Sequence, residues 1–269
     1  MSAIELTRFA PIGLDELVGE AALLTRVDRK YLVPIHTARD VIDSIDDTTR
    51  VLEIDGSRRF AYDSLYFDTA DRLSYRLTSQ RRRRRFKVRT RHYCDTGDSY
   101  FEVKTKGGRG TTVKRRMQID PAMRGKLAQD SSAFARYALT RGGVASSEAD
   151  VPITSTVDRL RPALVSRYRR ATLLMPGGSR ATIDTDLFWE SETSRPDGSP
   201  RTMRLTEHAI IESKSVGGPS ELDRRLWRLG YRPTGISKFG TGTAALHPEL
   251  PANKWARVLR GPFSERTPS

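Results

Sequence analysis

Between Arg81 and Gln118 the sequence spaces cations in a way that could hold an extended anion. Side chains of a strand alternate between its two faces, so in the run Phe86 to Tyr93 the cations Lys87, Arg89 and Arg91 share one face and Val88 and Thr90 the other. The run Tyr100 to Lys106 repeats the pattern after a turn built from Asp95, Gly97 and Asp98. Glu102, Lys104 and Lys106 lie on one side, Phe101 and Val103 on the other. Thr111 to Gln118, with Lys114, follows as the next strand. A row of like charges on paired strands is destabilising unless an anion lies between them or water screens them. The rows are therefore read either as a phosphate-holding face or as a solvated outer face, and the interleaved apolar residues show that these strands also have a buried side. Farther along, Ala209 to Lys214 sets Glu212 and Lys214 together. Asp184 and Asp186 could support a metal or hold arginines in place. The contiguous Arg81 to Arg85 puts side chains on both faces, as a solvated run or as a collecting patch.

Composition agrees with a polyanionic partner. The 269 residues carry a formal net charge of +14 and a pI near 10.2, which suits nucleic acid, an acidic membrane or phosphorylated small molecules and does not choose among them. One cysteine, Cys94, excludes an internal disulfide and a cysteine-rich zinc site. The histidines, His36, His92, His208 and His247, lack metal-ligand spacing. There is no P-loop pattern, and Lys106-Gly-Gly-Arg-Gly110 reads as a hairpin turn. The start carries Glu5, Asp15 and Glu16 without an apolar core of signal-peptide length, and no run approaches the roughly 20 apolar residues of a spanning helix. A soluble, cytoplasmic protein is expected.

Other elements must position these residues. A short amphipathic helix is predicted from Asp15 to Leu24, a strand from Val27 to Val33 that carries Asp28 and Lys30 opposite Tyr31 and Val33, and a helix from Thr37 to Asp47 capped by Thr37. Phe60 to Asp68 reads as a strand. Asp120-Pro121 opens a helix to about Leu139 that Gly142-Gly143 ends. Strands follow at Ala163 to Leu174 and Ser179 to Phe188, then a Pro/Gly/Ser-rich loop, the strand ending at Lys214, and a helix from Pro219 to Leu229 with Leu222, Leu226 and Leu229 inward. Roughly eight strands with one polar and one apolar face predict an α+β fold, a closed antiparallel β-barrel with a charged interior and helices packed outside. No linker or repeat interrupts residues 1–247, predicting a single domain, and 248–269 reads as a poorly ordered tail.

The ordered pieces Lys30-Tyr31, Tyr66-Phe-Asp-Thr69, Val88 to Tyr93, Phe101 to Thr105, Val113-Lys114, Tyr168-Arg-Arg170, Arg180 to Asp184, Ile211 to Lys214 and Ser237-Lys-Phe239 resemble the catalytic domain of the vacuolar transporter chaperone (VTC) complex. That domain is the polyphosphate polymerase branch of the triphosphate tunnel metalloenzymes. The resemblance covers roughly residues 20 to 245, most of the chain. It implies that Arg89, Arg91, Lys104, Lys114, Arg170 and Arg180 line a tunnel and hold phosphates, joined by Lys30 and Lys214. It makes Glu212 the metal ligand, puts Lys238 close to the transferred phosphoryl group, and sets Tyr168 beside them. One departure concerns the Glu-x-Glu-x-Lys opening of the CYTH-type triphosphatases, whose window here reads Arg26-Val-Asp-Arg-Lys30, without the first carboxylate.

The implied activity is transfer of the ATP γ-phosphoryl group to inorganic polyphosphate, with Mg²⁺ or Mn²⁺ as cofactor and pyrophosphate as a further partner. The attacking phosphate oxygen is already anionic at neutral pH, so the obstacle is charge repulsion, which cationic clamps and a divalent metal relieve. Glu212 with phosphate oxygens and water suits either ion, both oxygen-seeking. The alternatives are a triphosphatase acting on tripolyphosphate or nucleotides, and a non-catalytic polyanion-binding module. No nucleic-acid partner is expected, because RNA-binding signatures are absent.

Overall fold

The computed structural model describes residues 4–20, 27–107, 111–144 and 153–263. In chain order its elements are β1 (Ala10–Ile12), α1 (Leu14–Glu20), β2 (Val27–Pro34), α2 (Ile35–Ser44), β3 (Arg50–Leu52), β4 (Phe60–Asp68), α3 (Leu73–Ser79), β5 (Phe86–Tyr93), β6 (Ser99–Lys106) and β7 (Thr112–Ile119). There follow α4 (Gln129–Arg141), α5 (Ile153–Asp158), β8 (Arg161–Leu174), β9 (Arg180–Ser191), β10 (Thr202–Leu205), β11 (His208–Ser215), α6 (Glu221–Arg228), α7 (Lys238–Leu246) and α8 (Ala256–Arg260). The fold is α+β.

The strands form an 11-stranded, largely antiparallel sheet in the order β2-β11-β9-β8-β4-β5-β6-β7, with β1, β3 and β10 off this path. This corrects the expectation of a closed barrel of about eight strands: the sheet is open, with β2 and β7 at its ends. Strand β7 shows why it stops there. Lys114, Arg116 and Gln118 are exposed along it, and charge on an edge strand discourages a further pairing.

The described residues divide into two compact units. The first holds Met1–Ala61, Tyr168–Leu187 and Leu205–Ile236, and the second Tyr62–Arg167, Phe188–Arg204 and Ser237–Ser269. In the first, alternation sends Tyr31 and Val33 of β2, Ala181 and Ile183 of β9, and Ala209 and Ile211 of β11 into one core with α2 and α6. Helix α6 is fastened at its start by a reciprocal capping box, Ser220 with Asp223. Buried Asp223 also accepts hydrogen bonds from Tyr31 Oη at 2.7 Å and Ser213 Oγ at 2.5 Å. In the second unit Phe67, Val88, Phe101 and Val103 point the other way from the charged rows and pack with Ala135, Ala138 and Leu139 of α4.

Several boundaries differ from expectation for local reasons. The segment after Asp120 makes one 3₁₀ turn, Pro121–Met123, and the helix begins only at Gln129. Gly125 between them has φ of +83°, a left-handed conformation no helix can carry through. Helix α2 starts at Ile35 with Pro34 at its N-cap, so Thr37 lies inside it. Leu229 is exposed, past the end of α6. Residues 248–263 are not a loose tail: Trp255, Val258 and Phe263 are buried, and Trp255 packs against Tyr75 at 5.7 Å. Ala21 to Leu24 of the lead-in helix, Arg26, and the 108–110 turn lie outside the described residues.

Candidate functional site

The polar face of the second unit is laid out by strand register. Arg89 of β5 faces Glu102 of β6, which faces Arg116 of β7, and one row along, Lys87, Lys104 and Lys114 are aligned. Tyr66 and Ser64 of β4 face Arg89 and Arg91. Hence the alternation that buries Val88, Phe101 and Val103 also gathers the cations opposite them.

Their partners make the face specific. Arg89 donates to Glu102 Oε2 through Nε at 2.7 Å and Nη2 at 2.5 Å, and to Tyr66 Oη at 3.0 Å. Lys114 Nζ lies 2.8 Å from Glu102 Oε1. Thus one carboxylate, only 1% exposed, ties strands β5 and β7 to β6. Burial acts to raise its pKa, but Arg89, Arg91 and Lys114 together overcome that and hold it well below the usual carboxylate range. Lys104 shows the surplus. The charge of Arg89, then burial and Arg91, push its ammonium well below the ordinary lysine value despite the opposing Glu102. Arg89, Arg91, Lys104 and Lys114 thus gather around the buried Glu102, and an anion would be drawn there.

Helix α7 meets this face through its first turn. Ser237 caps it, accepting from Gly240 N, and its hydroxyl receives Lys87 Nζ at 2.7 Å. Phe239 stacks on Tyr66, with ring centroids 5.2 Å apart. Lys238 stands between them as the first helical residue, its carbonyl accepting from Trp189 Nε1 at 2.9 Å. So Lys238 and the β5 cations occur in one unit, linked through Ser237 and Phe239.

The first unit carries a second cluster. Lys30 of β2 and Thr182 of β9 flank Glu212 of β11, while Lys214 faces Asp28 and Arg180. Lys30 Nζ and Lys214 Nζ each lie 2.6 Å from Glu212 Oε1. Burial would raise the Glu212 carboxyl, yet Lys30, Lys214 and Arg170 keep it ionised, well below the ordinary value. Lys214 is lowered to about 8, chiefly by burial and against the pull of Glu212. Arg170 holds Asp184 through both oxygens at 2.6 and 2.8 Å, and its guanidinium lies 5.3 Å from the centre of the buried Tyr168 ring. Asp184 therefore anchors an arginine, while Asp186 is exposed with φ of +53°.

Could a divalent metal be held here? Among the described residues no group of three His, Cys, Asp or Glu side chains is arranged to hold one. Glu102 and Asp184 each have both oxygens engaged by cations. Glu212 fits better: both ammonium groups fall on its Oε1, and across from it the buried Thr182 Oγ1 makes no hydrogen bond among the described residues. A single carboxylate completed by phosphate oxygens and water is the habit of Mg²⁺ and Mn²⁺.

Comparison with known proteins decides the family. The model of the VTC domain matches residues 25–247. The chain belongs to the VTC-domain family. No curated protein matches it. Among solved structures, a Hippeastrum protein named for adenylyl cyclase activity and reported to have a dominant triphosphatase activity shares 18% identity, covering 85% of this chain and 99% of its own, with a TM-score of 0.48. A Pyrococcus horikoshii OT3 protein shares 11% over 81% of this chain and 97% of its own at a TM-score of 0.43. Such values are too low to carry activity from those proteins to this VTC-domain chain.

The VTC-domain residues expected at the site are thus found in two clusters: Arg89, Arg91, Lys104, Lys114 and Lys238 in one unit, and Lys30, Tyr168, Arg170, Arg180, Glu212 and Lys214 in the other. What sequence reasoning missed is Glu102, the acid that organises the first cluster, together with Tyr66. Glu102 stood at the charged parity between Arg89 and Lys104, and a lone acid in a cationic row was the available signal. Among the described residues no helix is long and apolar enough to cross a membrane.

Proposed function

We propose that this VTC-domain chain is a polyphosphate polymerase, transferring the ATP γ-phosphoryl group to the end of an inorganic polyphosphate chain with Mn²⁺ or Mg²⁺. The observation that carries this is the gathering of Arg89, Arg91, Lys104 and Lys114 on the face of β5, β6 and β7 around the buried Glu102. A phosphate chain supplies the missing negative charge, and the rigid register of three strands fixes where its oxygens sit.

The residues divide the work. Arg91, Lys104 and Lys114 hold phosphates and cancel the repulsion between donor and acceptor, which is the main barrier because the attacking oxygen is already anionic. Glu102 positions Arg89 and Lys114. Lys238, at the start of α7, meets the moving phosphoryl group. Lys30, Lys214, Arg170 and Arg180 serve phosphates in the first unit, and Glu212 is the carboxylate for the divalent ion. That ion would supply charge neutralisation and orientation for phosphates held in that unit.

The test is to incubate purified protein with ATP and Mn²⁺, with and without pyrophosphate, and resolve the products on a gel. ADP with a phosphate ladder is expected, and Glu212→Gln should abolish metal-dependent turnover while the fold persists. ADP with stoichiometric free phosphate and no polymer makes the chain a hydrolase. Binding without turnover makes it a polyanion-binding module.

A further inference from the structure

The polar face of β4 to β7 changes character along its length. At one end lie the lysines Lys87, Lys104 and Lys114. At the other, the same side-chain parity presents Tyr62 of β4, Tyr93 of β5 and Tyr100 of β6, with Tyr62 directly across from Tyr93 and Arg91 across from Tyr100. The rings touch one another: Tyr62 and Tyr93 centroids are 5.0 Å apart and tilted, Tyr93 and Tyr100 are 5.8 Å apart and edge to face. Two guanidiniums lie over them, Arg91 at 5.3 Å from the Tyr62 centre and Arg116 at 4.7 Å from that of Tyr100. All three tyrosines are half-buried and Arg116 is exposed. None of the three belongs to the apolar core beneath the sheet.

A bare phosphate chain offers oxygens and no π-face, so it could engage the tyrosine hydroxyls but would leave the ring faces unused. A ligand carrying both a flat ring and a string of phosphates would use the whole face. We propose that the Tyr62, Tyr93 and Tyr100 cluster is the base-binding subsite for a nucleoside triphosphate. The base lies against the tyrosine rings beside the Arg116 guanidinium, and its phosphates run along the strands past Arg91 and Arg89 toward Lys104 and Lys114. The dimensions agree: four residues of β6 separate Tyr100 from Lys104, about 13 Å at strand rise, the scale of an extended nucleoside triphosphate. Stacking on tyrosine and arginine reads a π-face, not an edge pattern. The subsite therefore takes purines in general, more strongly than pyrimidines. This inference rests on the phosphate-binding reading above and adds which end of that face holds the nucleoside.

The experiment measures binding of two ligands, a non-hydrolysable ATP analogue and inorganic tripolyphosphate, to wild type, Tyr93→Leu, Tyr100→Leu and Tyr100→Phe by calorimetry. The leucine variants should bind the ATP analogue roughly ten-fold more weakly or worse, as loss of a base–aromatic stack implies. Their tripolyphosphate affinity should stay within two-fold of wild type, which also shows that they are folded. Tyr100→Phe, which keeps the ring, should bind the analogue as wild type does. Equal losses for both ligands, or none for either, would overturn the subsite and leave the phosphate face standing. Wild type binding neither ligand would overturn the phosphate-binding reading itself, and the subsite with it.

Discussion

Replacing Glu102 by glutamine keeps the size of the side chain and deletes the buried negative charge that Arg89 and Lys114 contact. Glu102 is 0% exposed and Arg89 9% at the side chain, so this is a buried pair whose rupture leaves an uncompensated cation, costing about 3–5 kcal/mol. The Lys114 partner is 38% exposed, so its pair adds less than about 1 kcal/mol. Urea unfolding at neutral pH should therefore show Glu102→Gln at least about 3 kcal/mol less stable than wild type. The deficit should depend on pH with a definite sign. Because the folded carboxyl lies below its ordinary value of 4.5, its stabilisation is complete above that value and is lost as pH falls through the folded one. The gap between variant and wild type should close in acid. Tripolyphosphate, bringing back negative charge, should raise the unfolding midpoint of Glu102→Gln by more than it raises that of wild type. A variant as stable as wild type at neutral pH, or a gap that widens on acidification, would refute the electrostatic account of this face.

Lys214, lowered to about 8, should lose its charge above that pH in the ligand-free protein, so tripolyphosphate affinity should fall there, and Lys214→Arg should carry the decline to higher pH. The same shift makes the folded state gain stability as pH rises from about 8 toward the ordinary 10.5; a pH-independent affinity would contradict both. Lys238→Ala should lower kcat at least ten-fold in single-turnover assays with little change in polyphosphate affinity, and Arg91→Ala should do the reverse and flatten the salt dependence of binding; equal binding losses in the two would abolish the division of labour. Arg89 is a poor probe of binding, since its removal strands Glu102. Gly242→Ala should destabilise by about 1–3 kcal/mol, because a Cβ there would collide with the Trp189 ring; thermal unfolding matching wild type would show that the ring can yield.

What could be read from the sequence was what repeats at the strand period. Alternation along Phe86 to Tyr93, Tyr100 to Lys106 and Arg180 to Phe188 placed strands and assigned charged and apolar faces, because a strand needs only a period of two to sort its side chains. For the same reason Arg89, Lys104, Lys114, Glu212 and Lys214 could be assigned to charged strand faces, while their phosphate and metal roles came only from the family resemblance. Helix α7 was not legible. Its Lys-Phe-Gly-Thr-Gly-Thr-Ala-Ala-Leu run is small on every side because Gly240 and Gly242 lie against Trp255 and Trp189, and a helix buried all round shows no amphipathic period. Closure of the sheet could not be read either, since face alternation is the same in an open sheet and in a barrel. Only tertiary structure decided which cations share which acid. Glu102 lies between Arg89 and Arg116 because β5, β6 and β7 pair in one register, and a shift of one residue would have sent that carboxylate to the apolar side. The sequence determined that cations would line one face; the pairing of strands decided that a single buried glutamate would hold them.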